Sequence, residues 1–171
     1  MGHEALLCMS NYHVWAHNKL LTALHEVTDA DLQADVGLFF PSILATLNHM
    51  LVCEAHLWYP RFAVQISPRM ALNQILETDR NNLFQQLQHS ALRWQQFVAQ
   101  LPEDSELPEY LEYVSSAGLH LRLPYAATLL HVFNHATHHR GQLTAALTSL
   151  GYHCPELDLV YALIEQQSQQ C

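Results

Sequence analysis

The chain has 171 residues, half of them hydrophobic, which is enough for one substantial core and too few for two ordinary domains, so residues 1–171 are expected to fold as a single domain. A net charge of −9 with only 7 lysines and arginines excludes the cationic footprint that a phosphate backbone requires, so no nucleic-acid partner is expected. No apolar run is long enough to span a bilayer, MGHEALLCMS lacks the layout of a signal peptide, and Leu6 stands where a myristoylation signal needs Ser or Thr; a cytoplasmic protein with no membrane partner is expected.

In chain order, residues 3–27 carry Leu6, Leu7, Val14, Trp15, Leu20, Leu21 and Leu24 at three- and four-residue steps, which predicts an amphipathic helix, with a loop over TDADLQADVG. A second helix is expected to open at Pro41-Ser42 and to stop at Pro60. The clearest periodicity, Leu76, Leu83, Leu87, Ala91, Trp94, Val98 and Leu101, predicts a third helix over residues 72–101. Two short β-leaning runs about Ser-Ser-Ala-Gly then predict a loop with a small hairpin. Residues 124–150 read as a helix stopped by Gly151, and residues 157–167 as a short last one. The expected class is all-α: an antiparallel four-helix bundle with a short C-terminal helix and a small hairpin before the last long helix. Cys8, Cys53, Cys154 and Cys171 show no paired spacing and read as reduced thiols.

The stretch HVFNHATHHRGQL places His131, His135, His138 and His139 within nine residues. At about 100° per residue, His135 and His139 fall nearest the apolar stripe of Leu129, Val132, Ala136, Leu143 and Leu147, whereas His131 and His138 fall outside it. Histidines at i and i+4 can present both rings to one metal ion; their bland alternative is a pair of hydrogen-bonded core-edge residues. A third ligand has to come from elsewhere, and His49, Cys53 and His56 share a face of the second helix, while Glu54 lies in its apolar stripe. Spacing leaves a His49 site, a Cys53/His56 site and a plain polar face all open. His13 and His17, also i and i+4, read as surface or capping residues, Arg140 as a structural salt bridge, and Gly141 as a point of close helix approach. No Glu-x-x-His, His-Glu-x-x-His, Walker or Gly-x-Ser-x-Gly motif is present.

Together, YHVWAHNKLL, FFPSILATLNHM, EYVSSAG, HVFNHATHHRGQL and PELDLV resemble, in order, the segments of the DinB-like proteins. That resemblance implies a four-helix bundle, a homodimer, and a divalent metal held by three histidines, which here are His49, His135 and His139. Three imidazoles accept several divalent ions; zinc or nickel is expected, with iron and manganese as alternatives, together with a small-molecule substrate. Characterised members of the superfamily look like metal-dependent transferases or isomerases that use a low-molecular-weight thiol. The expectation is therefore an S-transferase-like enzyme; a metal-dependent hydrolase, or a non-catalytic bundle with a structural metal site, is the alternative. Departures from the family pattern include Pro41, His17 and Cys53-Glu54.

Overall fold

A computed structural model describes residues 2–102 and 106–169. Helix α1, His3–Leu24, buries Leu6, Leu20, Leu21 and Leu24 against α5 and α6, and ends three residues before the expected limit. The stretch expected as loop holds a five-residue helix, α2 (Asp29–Gln33), because Thr28 caps it: its hydroxyl accepts the Asp31 N–H at 3.1 Å.

Ser42 likewise caps α3, Ile43–Leu51, through the Ala45 N–H at 3.1 Å. The helical path then widens into a π-helical turn, Val52–Trp58, and narrows again into α4, Tyr59–Ala63. Pro60 therefore does not end the helix. It falls in the first turn of α4, where a missing N–H is harmless, while the Tyr59 N–H reaches back five residues to Glu54 O.

The third long helix, α5, is Arg80–Ala99, eight residues shorter at its start than the periodicity predicts. Asp79 caps it by accepting the Asn82 N–H at 2.9 Å. The strand-like segment before it is pinned by buried Asn48. The Asn48 Oδ1 accepts the N–H groups of Leu76 and Glu77 at 2.7 and 2.9 Å, and its Nδ2 donates to Glu77 O at 2.9 Å. Leu76 thus packs on the core without being helical.

The expected hairpin is present: β1 (Tyr110–Val114) pairs antiparallel with β2 (His120–Pro124), Leu111 opposite Leu123 and Tyr113 opposite Leu121. Gly118, at φ 85°, makes its turn, a left-handed conformation that suits glycine. Helix α6, Tyr125–Ser149, follows, and Gly151 at φ 82° stops it as expected. The last helix, α7, is Leu159–Gln169, two residues later than predicted, and Ala162 rests on Tyr12 and Ala16 of α1.

The architecture is mainly helical with one two-stranded antiparallel sheet among the described residues, so a strictly all-α description needs that amendment. α1 lies along α5 and α6, and α3 spans α5 and α6. One core cluster centres on Leu20, Leu24, Leu47, Leu87 and Leu143, the other on Trp94, Leu129 and Phe133. Among the described residues no helix is long and apolar enough to cross a membrane. Cys8, Cys53 and Cys154 are free thiols, and Cys171 lies outside the described residues.

Candidate metal centre

α3 and α6 bring His49, His135 and His139 together. His135 and His139 come from successive turns of α6, and His49 from the last turn of α3. The Nε2 of His135 lies 3.3 Å from that of His49 and 3.0 Å from that of His139. His49 Nδ1–H donates to Leu72 O at 2.8 Å, and His139 Nδ1–H donates to Gln142 Oε1 at 2.8 Å. Those two bonds fix the neutral tautomers with the Nε2 lone pairs facing inward, the arrangement by which outer partners orient metal-bound imidazoles. Two nitrogens held at about 2.0–2.1 Å from one ion stand roughly 2.9–3.4 Å apart over right-angled to tetrahedral geometries, so the three residues fit a metal.

The rings are kept neutral. Burial, with the neighbouring His139 and His49, pushes His135 down to about 3; burial, opposed by the Gln142 bond, takes His139 down to about 4; burial also lowers His49. Phe40 stacks on His49 with ring centres 3.9 Å apart, covering one side of the centre. His131 lies outside the triad, its ring between those of Trp58 (5.3 Å) and His135 (5.5 Å), and His138 is exposed.

The alternative Cys53/His56 arrangement is not assembled. Cys53 Sγ approaches His49 Nε2 at 3.6 Å, but His56 is exposed and lines a hollow with His89 and Arg93 of α5. A wheel drawn at 100° per residue fails here because the π-helical turn advances less per residue, rotating His56 away. Burial, then Glu54, pushes the Cys53 thiol up to about 12. Gly141 is corrected too: a Cβ there would meet nothing within 4 Å, so no close approach requires glycine.

His13 and His17 are the residues sequence reasoning missed. They are 0% and 2% exposed, and with Glu54, 1% exposed, they form a second cluster of potential ligands in the core. Arg140, read as a salt bridge, is instead buried against these rings. Its Nη1 is 3.3 Å from His13 Nδ1 and 3.4 Å from His17 Nδ1, and its Nη2 donates to Thr137 Oγ1 at 2.8 Å. The signal was present in the i, i+4 pair on α1 and in a glutamate within an apolar stripe, a position that needs partners.

The chain is 26% identical over 144 residues to Protein DinB of Bacillus subtilis (strain 168), covering 82% of this chain and 83% of that one. The DinB family model matches residues 1–169, a span that includes both helices of the histidine centre, and the chain belongs to the DinB family.

Proposed function

We propose that this protein is a metal-dependent enzyme that transfers a low-molecular-weight thiol to an electrophilic small molecule, with its divalent ion held by His49, His135 and His139. The observation that supports this reading is the convergence of three Nε2 atoms, two with tautomers set by Leu72 O and Gln142 Oε1. Three protein ligands leave a coordination position for substrate, as catalytic sites do. Zinc or nickel suits three imidazoles; iron and manganese are the alternatives. The long helices are read as an antiparallel four-helix bundle, the whole chain as one domain, and the assembly as a cytoplasmic homodimer.

The bound metal supplies the positive charge that holds a thiol as thiolate at neutral pH. The rest falls to the chain. Leu72 O and Gln142 Oε1 hold two rings in register, and Phe40 fixes the plane of His49. Trp58 and His131 continue the ring wall beside His135, where an apolar electrophile could rest. Cys53 is 4% exposed and burial pushes its thiol up to about 12, so it does not itself supply the thiolate.

The test is untagged wild type against His139→Ala, measuring bound metal by mass spectrometry and turnover over a panel of thiols and electrophiles. Stoichiometric metal and thiol-dependent turnover, both lost in the variant, are expected. Wild type that takes up no zinc, nickel or manganese ends the reading. Metal whose loss affects only folding makes the centre structural, and turnover without thiol makes the protein a hydrolase.

A further inference from the structure

We propose that His13, His17 and Glu54 form a second, fully enclosed site for a divalent first-row transition ion, separate from the three-histidine centre. The donors converge on one point. Glu54 Oε2 lies 3.3 Å from His13 Nε2 and 3.5 Å from His17 Nε2, and all three ligand atoms fall within 4.8 Å of one another. Bonds of about 2.0–2.1 Å to nitrogen and 2.0–2.2 Å to oxygen put tetrahedral ligands roughly 3.3–3.5 Å apart, which matches the distance of Glu54 Oε2 from each ring nitrogen.

Unmet valence supports the assignment. His13 Nε2, His17 Nε2 and both Glu54 carboxylate oxygens are buried without a hydrogen-bond partner. Glu54 Oε2 meets the two ring nitrogens only at ion-pair distance and Oε1 has no partner, so an ion held among them would offset the desolvation cost of this buried cluster. Two imidazoles and one carboxylate supply three donor atoms, one from each residue. His17 Nδ1 donates to His13 O at 3.1 Å, which leaves its Nε2 lone pair free for a metal. The π-helical turn matters here, because such turns recur at functional sites and this one carries Glu54.

Arg140 sets the affinity. Its Nη1 faces the Nδ1 atoms of both rings, and in the loaded site those atoms carry the ring protons. Loading therefore costs the Arg140–His13 contact, and the guanidinium, held by Thr137, adds a positive charge that opposes the incoming ion. The second site therefore binds more weakly than the first and fills after it.

The experiment titrates Co²⁺ into chelator-stripped, untagged full-length protein, following the visible bands of cobalt and the ion content after desalting, with far-UV circular dichroism as a check on folding. Wild type is expected to take up two equivalents in sequence, and His49→Ala and His17→Asn one each, at different sites with distinct spectra. One equivalent in wild type that a folded His49→Ala loses overturns the proposal. One equivalent that His49→Ala keeps and His17→Asn loses upholds it while removing the three-histidine reading instead. No uptake by wild type overturns both. Should either variant fail to fold, the two-against-one count in wild type and the remaining variant still decides.

Discussion

A histidine's usefulness as a ligand depends on where it loses its proton. Ligating histidines must be neutral, so metal uptake by three unperturbed histidines should weaken as pH falls towards and below about 6.5. The structure moves that window down, because burial and mutual repulsion hold His135 near 3 and His139 near 4. Metal affinity of the folded protein should fall less steeply below pH 7 than three unperturbed imidazoles would give, measured by competition against a chelator of known pH dependence. A tenfold or larger loss between pH 7 and 6 would contradict it. Stability follows the same shift. These groups titrate lower in the folded chain than in the unfolded one, so between about 6.5 and 4 the unfolded chain binds more protons. Stability contributed by the neutral rings is whole above 6.5 and drains away as pH falls towards their folded values. The midpoint of thermal unfolding of metal-free protein should drop steadily from pH 7 to 4.5. Gln142 Oε1 accepts the His139 Nδ1–H and so holds that ring's tautomer. Gln142→Leu should weaken metal binding about 10–100-fold while leaving the stoichiometry unchanged, as judged by the same competition assay.

At the scale of elements, the segment between α4 and α5 hangs on one side chain. Asn48 satisfies two backbone N–H groups and one carbonyl of residues 76–77, and the same segment delivers Leu72 O to His49. Asn48→Ala should cost about 2–4 kcal/mol in urea unfolding, since it strands two partly buried N–H groups. It should also weaken metal binding by loosening the His49 tautomer. Gly141 behaves oppositely. It is exposed, helical and free of neighbours, so Gly141→Ala should raise stability by up to about 1 kcal/mol in the same assay. Helices α1 and α6 were legible because their apolar steps hold a 3.6-residue period and α6 ends in a left-handed glycine. The start of α5 was not. Leu76 continues its periodicity but is held outside the helix by Asn48, a partner 28 residues away. Nor does any local rule disclose the π-helical turn that carries the path past Pro60.

Across the whole molecule, Trp94 joins the parts. It is fully buried in the aromatic cluster with Phe62, Phe97 and Phe133, and its Nε1 donates to Glu54 O at 3.2 Å. Trp94→Ala should cost about 3–5 kcal/mol, read from the urea midpoint and slope. The two main core clusters both draw on α1, α5 and α6, so unfolding should be a single transition. Tryptophan fluorescence and far-UV circular dichroism should give superimposable curves; two separated midpoints would argue against one domain. From the sequence alone came the helical periods, the hairpin turn, and the pairing of His135 with His139 on one face, because each depends only on residues within a few turns of one another. The third ring at His49 followed from family resemblance rather than from spacing. Tertiary structure alone decided which carbonyl sets the His49 tautomer, how far burial lowers the imidazoles, and that His13, His17, Glu54 and Arg140 share one enclosed volume. Desolvation and lone-pair convergence arise between segments tens of residues apart, and no local pattern encodes them.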